Sequence, residues 1–258
     1  MSTFFYRKLG KGYPVILIHG FCETHEIWNG FAETLSEKFE VFTIDLPGFG
    51  ASPLPLTSFS LDDVAVKIFE WISERKIEKP LIVGHSLGGY VALAMGKRHP
   101  EKFAGIVLFQ STAYPDSEEK KANRNKVIEF VKAHGTDPYI DTFVPGLFFD
   151  KKHPAISIVD SIARKTSKET LLAYTEAMRD RPSSIDFFKN YKKTILILSG
   201  HQDTIITAEA AQEHGTLNQN ATVHLFENTG HMAMYERPRE SERIVEAFAM
   251  KTFSKISN

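Results

Sequence analysis

Ten histidines and one cysteine are spread over 258 residues, but few of them stand where a reaction could use them. The pentapeptide Gly84-His85-Ser86-Leu87-Gly88 follows the apolar run Leu81-Ile82-Val83 and leads into Tyr90–Arg98, a good helix former. A serine in that strand–turn–helix context is a nucleophile elbow. Glycines two before and two after it let strand and helix backbones approach, and the sharp turn lifts the hydroxyl clear. A serine hydroxyl is a weak nucleophile and needs a general base, which in turn needs an orienting carboxylate. His231 lies in the loop after a predicted strand, Val223–Phe226, and Asp203 in Gly200-His201-Gln202-Asp203 after another, Thr194–Leu198. Both fall at carboxyl ends of strands, where catalytic loops gather in open α/β sheets. Taken singly, each would read as a capping Asp or a surface-loop His. Taken with Ser86 they predict acyl transfer. That chemistry also needs two N–H donors aimed at the developing oxyanion. Leu87, after the serine, supplies one, and Phe21, behind Gly20 at the end of strand Val15–Ile18, supplies the other. His19 is expected to brace that loop, and Asp116, beyond strand Ile106–Phe109, is the alternative acid.

The elements around these residues have a clear rhythm. Predicted strands Thr3–Lys8, Val15–Ile18, Val41–Ile44, Leu81–Val83 and Ile106–Phe109 alternate with helical stretches at about 24–38, 60–76 and 86–98. Leu61, Val64, Ala65, Ile68, Trp71 and Ile72 repeat at three and four, one buried helix face. Strands alternating with helices imply a mostly parallel sheet. Gly10-Lys11-Gly12-Tyr13-Pro14 reads as a tight turn joining an antiparallel first strand to the second. The rhythm then stops, and residues 112–190 carry only helix-like segments, near 117–134, 138–149, 154–164 and 167–180. Alternation resumes with Thr194–Leu198, a helix at 207–217, Val223–Phe226 and a closing helix at 236–253. The expected organisation is an α/β core, residues 1–111 and 191–258, with a helical cap, 112–190, inserted into it.

Composition excludes other classes of function. With 31 basic against 32 acidic residues and a net charge of −1, no electrostatic footprint for nucleic acid or an anionic membrane is expected. The longest unbroken apolar run, Tyr90 to Met95, is far short of the ~20 residues that span a bilayer. No cationic stretch precedes an apolar one at the N-terminus, so a cytoplasmic protein is expected. One cysteine, Cys22, permits no internal disulfide and no multi-cysteine metal site, and it reads as a small buried filler. No metal and no cofactor are expected, and Gly48-Phe49-Gly50 lacks the third glycine and the helix of a dinucleotide site.

Several further pieces carry a resemblance. Pro14 to Phe21 with Trp28, Asp45 to Ser52, Val83 to Gly89, the Gly200 to Asp203 loop, and Gly230-His231 followed by Glu236-Arg237-Pro238 resemble, in order, the α/β-hydrolase superfamily, in its group of small serine hydrolases with a helical cap. The resemblance runs from about Gly10 to Phe253, leaving out most of the cap. It implies an α/β-hydrolase fold, with one strand fewer than the usual eight because the stretch before Gly10 is short. It implies Ser86 as nucleophile, Asp203 as acid and His231 as base, in the chain order of that superfamily's triad, with Phe21 and Leu87 as oxyanion donors. Serine rather than aspartate at the elbow argues against the dehalogenases and epoxide hydrolases. Tyr90 after the elbow glycines and Met232 after the histidine depart from relatives that handle succinyl-type carboxylates or cleave carbon–carbon bonds. The expected activity is hydrolysis of a small, apolar carboxylic ester, by a monomer or homodimer. Carbon–carbon hydrolysis, perhydrolysis or lyase chemistry on the same triad, or a low-turnover ligand sensor, are the alternatives. Trp28, Tyr139, Phe143, Leu147, Phe148 and Met232 are the candidate substrate-binding residues, with Asp45 and Ser52 as loop scaffolding.

Overall fold

A computed structural model describes residues 4–54 and 58–256. In chain order the elements are β1 (Tyr6–Leu9), β2 (Pro14–Ile18), a 3-10 turn (His25–Trp28), α1 (Asn29–Ser36), β3 (Glu40–Ile44), α2 (Leu61–Glu74), β4 (Leu81–His85), α3 (Leu87–Arg98) and β5 (Gly105–Phe109). Five helices follow: α4 (Glu118–His134), α5 (Asp137–Leu147), α6 (Ala155–Ala163), α7 (Lys168–Arg179) and α8 (Ile185–Asn190). The chain returns through β6 (Thr194–Gly200), α9 (Ala208–Leu217), β7 (Ala221–Phe226), α10 (Ala233–Glu236) and α11 (Pro238–Ser254).

The seven strands form one sheet in the order β1-β3-β2-β4-β5-β6-β7, parallel throughout except for β1. Strands β4 and β5 are buried along their whole length, and their unbroken Leu-Ile-Val and Ile-Val-Leu-Phe runs suit a sheet covered on both faces. From β2 the chain steps one way to β3, and β4 returns to the other side of β2. The order therefore reverses between β2 and β4. At such a switch point the loops leaving the carboxyl ends part and open a crevice. Ile18-His19-Gly20 and His85-Ser86 leave the sheet there.

Helix α2 shows how locally the sequence writes an element. Ser60 accepts from the Asp63 N–H while the Asp63 carboxylate accepts from the Ser60 N–H, a reciprocal capping box. Its buried face consists of the predicted Leu61, Val64, Ala65, Ile68, Trp71 and Ile72. Elsewhere the structure corrects the reading. β1 is antiparallel as expected, but it pairs with β3, which lies between it and β2. Thr3, placed in that strand from the sequence, lies outside the described residues. The stretch 24–38 begins as a 3-10 turn capped by Thr24 before α1 takes over. The closing helix is divided, with Pro238 occupying the first turn of α11, where its missing N–H costs nothing. Among the described residues, no helix is long and apolar enough to cross a membrane.

Candidate active site

Ser86 stands between β4 and α3 with φ 48° and ψ −112°, a backbone strain of about 1–3 kcal/mol. The neighbours enforce it. A Cβ on Gly84 would lie 2.3 Å from the Gly88 carbonyl oxygen, and one on Gly88 would lie 2.4 Å from that of Ile18. Only glycine lets strand, turn and helix approach so closely. Two bonds to the end of β5 hold the elbow: the Ser86 N–H donates to the Phe109 carbonyl at 3.0 Å, and Ser111 Oγ donates to the Ser86 carbonyl at 2.7 Å. Leu87 is the first residue of α3, so its N–H lies in a first turn that has no intrahelical acceptor.

The loops after β6 and β7 bring Asp203 and His231 together. His231 Nδ1 lies 2.6 Å from Asp203 Oδ2, with both residues buried. Asp203 Oδ1 accepts from the Ile205 and Ile206 N–H groups at 2.8 and 3.0 Å. A carboxylate held in this way is an acceptor for the Nδ1 proton, which leaves Nε2 as the basic nitrogen. The histidine's backbone is equally constrained. Its N–H donates to the Leu147 carbonyl at the end of α5 at 2.6 Å. Gly230 donates to Glu236 Oε2 at 2.9 Å, while Glu236 Oε1 accepts from the Phe149 N–H at 2.7 Å. Gln110, at φ 51°, spans the same turn from the end of β5, donating to the Gly230 carbonyl and accepting from the Ala233 N–H.

On the β2 side, His19 Nε2 accepts from the Leu46 N–H at 2.9 Å, so its proton sits on Nδ1, 2.7 Å from the Gly20 carbonyl. Burial lowers its pKa, outweighing the attraction of Asp45, so the ring is neutral. Asp45 accepts from the backbones of His25 and Ala51 and lies 2.8 Å from His25 Nδ1, while Ser52 donates to the Asp45 carbonyl, which makes both residues loop scaffolding. Cys22 is buried at φ 57°, and burial pushes its thiol pKa up. The Glu23 carboxylate accepts from the Gly20 N–H at 2.6 Å and meets His85 Nδ1 at 2.9 Å. Sequence reasoning passed over Glu23, His85, Gln110 and Glu236. Their bonds join positions up to 146 residues apart, and only the fold brings those together.

The candidate substrate-binding residues divide into three groups. Tyr139 and Phe143 stack on each other at 5.2 Å and set the Phe21 ring edge-on at 6.5 and 5.9 Å. Leu147, Phe148 and Met232 are buried at the seam between α5 and the His231 loop. Trp28 is wholly buried beneath the site, against Phe31, Phe109 and His85. It supports the elbow from below. Asp116, the alternative acid, is paired elsewhere, 2.9 Å from Arg124 Nε and 2.8 Å from Arg181 Nη1. These guanidiniums overcome the upward effect of burial and hold its carboxyl below the usual range.

Comparison with known proteins agrees with this architecture. Residues 15–243 match the model of the alpha/beta hydrolase family, and the chain belongs to that family. A thermophilic esterase from Thermogutta terrifontis superposes with a TM-score of 0.91 at 26% identity, covering 96% of this chain and 93% of that one. An enol-lactonase from Burkholderia xenovorans LB400 shares the fold with a TM-score of 0.88 at 20% identity, covering 96% of each chain. The dihydrolipoyllysine-residue acetyltransferase component of an acetoin cleaving system from Cupriavidus necator is 27% identical over 242 residues, 91% of this chain. The chain spans 63% of the length of that relative.

Proposed function

We propose that this protein cleaves a small, apolar carboxylic ester through an acyl-enzyme on Ser86. The observation that carries the reading is the buried 2.6 Å contact between His231 and Asp203, at adjacent strand ends of the same sheet edge that presents Ser86. In this mechanism His231 Nε2 takes the Ser86 proton as Oγ attacks the carbonyl carbon, and the carbonyl π pair moves onto oxygen. The N–H groups of Phe21 and Leu87 receive that oxyanion, each contributing about 3–4 kcal/mol. The intermediate collapses, the C–O bond to the alcohol breaks, and the His231 imidazolium protonates the leaving oxygen. Water then loses a proton to His231 and attacks the acyl carbon, the bond from that carbon to Ser86 Oγ breaks to release the acid, and the His231 imidazolium returns its proton to Oγ. These steps need no metal or cofactor.

The helices between β5 and β6, within 112–190, serve as a cap over the crevice. The stacked pair Tyr139–Phe143 against Phe21 gives the acyl or alcohol group an aromatic wall, which supports an apolar substrate. The resemblance to the Thermogutta esterase supports ester chemistry. The direct test is hydrolysis of p-nitrophenyl acetate and butyrate by wild type and Ser86→Ala. Loss of at least about a thousandfold in kcat is expected for the variant, and equal rates in both would sink the reading.

A further inference from the structure

A second acid–histidine pair lies beside the first and takes no proton in the steps above. Glu23 and His85 are 2% and 0% exposed, on the strap after β2 and at the last position of β4. A single oxygen of Glu23, Oε2, accepts from the Gly20 N–H at 2.6 Å and faces His85 Nδ1 at 2.9 Å. Across the ring, His85 Nε2 lies 2.9 Å from the carbonyl oxygen of His231. That carbonyl can only accept, and Glu23 Oε2, which already accepts an amide proton, can only accept from the ring as well once the carboxyl is ionised. Both ring nitrogens therefore face acceptors. A neutral ring, in either tautomer, would point a lone pair at one of these oxygens, inside a buried site where such a mismatch is costly.

We propose that Glu23 and His85 form a proton-retaining pair that positions the acyl-transfer site, holding the Gly20-Phe21 strap and the backbone of His231 against the end of β4. The inference rests on the reading of Ser86 as nucleophile. The other groups that bear on the pair leave its charge balance intact. His19, behind the strap, is neutral because it accepts the Leu46 N–H, and Asp203 is engaged by His231, Ile205 and Ile206. His231 reaches His85 through its carbonyl and a ring contact at 5.0 Å. From α10, Tyr235 feels the Glu23 charge, but burial, its larger influence, already raises the phenol pKa and keeps it protonated. Glu23 is thus the carboxylate that neutralises His85. The titration directions agree with the geometry. Burial alone would lower the His85 pKa, and the charge and hydrogen bond of Glu23 raise it above its ordinary value. Burial would raise the Glu23 pKa, and His85 brings it below.

Retaining that proton has a catalytic consequence without a catalytic contact. Glu23 fixes the His19–Gly20 peptide, directly before the one that presents the Phe21 N–H. His85 fixes the His231 carbonyl, while Leu147 fixes the amide on the other side of that residue. Both are positioning residues. Glu23→Gln keeps the shape and the accepting oxygen but removes the charge, so His85 must give up a proton and one of its two bonds. Its kcat on p-nitrophenyl acetate is expected to fall about tenfold to a hundredfold with KM within about twofold, less than the loss of a whole oxyanion donor. Glu23→Asp, which keeps the charge, should lose less. Independently of substrate, nitrogen-15 correlation spectra of histidine-labelled wild type should show protons on both ring nitrogens of His85 from about pH 6 to about pH 8, across the ordinary histidine range. A single protonated nitrogen there, or wild-type kcat and KM in a folded Glu23→Gln, overturns the proposal. Failure of the ester-hydrolase reading would show separately, as full activity in Ser86→Ala, and the spectra decide the ring's protonation even if Glu23→Gln does not fold.

Discussion

Asp203 gives one oxygen to two backbone amides and the other to His231, so it is a fixed object rather than a mobile counter-charge. Its replacement by asparagine should leave the loop folded but put an amide against Nδ1, stabilising the wrong tautomer of the base. Asp203→Asn is expected to lower kcat on p-nitrophenyl acetate by about a thousandfold to ten-thousandfold with little change in KM, measured beside wild type at matched folded fraction. At Gly88 the expected effect is on stability. A methyl group there meets the Ile18 carbonyl oxygen at 2.4 Å, and neither backbone can move without shifting the sheet. Gly88→Ala should cost about 2–3 kcal/mol, read as a lowered denaturant midpoint. The residues that were legible in the sequence share one property: a local signature. Ser86 is bracketed by its glycines, and Asp203 and His231 each follow a recognisable strand. Glu23, His85 and Gln110 have none. Glu23 reads as a loop acid, His85 as the variable residue of the elbow, and Gln110 as the polar end of a strand. Their meaning lies in partners 62, 146 and 120 positions away.

At the level of elements, the stretch between β5 and β6 carries the four expected helices and one more, α8 (Ile185–Asn190), that was not expected. The helices expected at 117–134 and 167–180 are α4 and α7, each entered through a serine cap, Ser117 and Ser167. The misread elements lost to local competition. Thr24 accepts from the Glu26 N–H and tightens the first turn after it into 3-10 geometry, and Pro238 ends one helix and starts the next. The partner of β1 was hidden for another reason, because alternation reports that a strand exists and not which neighbour it joins. Asp116 tests the insertion itself. It joins Arg124 of α4 to Arg181 beyond α7, and Arg181 also lies over the Tyr90 ring at 3.9 Å. Asp116→Asn leaves the buried Arg181 without its carboxylate, and a broken buried pair costs about 3–5 kcal/mol. Thermal melts should show that loss. The fraction still folded should retain kcat, since Asp203 rather than Asp116 orients His231.

For the whole molecule, the buried histidines predict a stability maximum near neutral pH. His19 and His214 are neutral in the folded state, each accepting a backbone N–H on Nε2, and burial lowers both pKa values from 6.5. A lowered histidine pKa means that the unfolded chain binds more protons, so stability is present above about pH 6.5 and is lost as pH falls below it. The raised His85 has the opposite sign. Its contribution is complete below about pH 6.5 and declines as pH rises through its folded value. Denaturant midpoints collected from about pH 5 to about pH 9 should rise and then fall, and Glu23→Gln should flatten the alkaline limb. A monotonic curve in wild type would contradict these assignments. One further bond bears on how such a molecule can diversify. One bond joining the insertion to the base is His231 N–H to Leu147 C=O, main chain to main chain. No side-chain atom at 147 takes part in that bond. Any residue that still packs at 147 therefore leaves this bond available, so a change of side chain there can reshape the seam without displacing the His231 backbone.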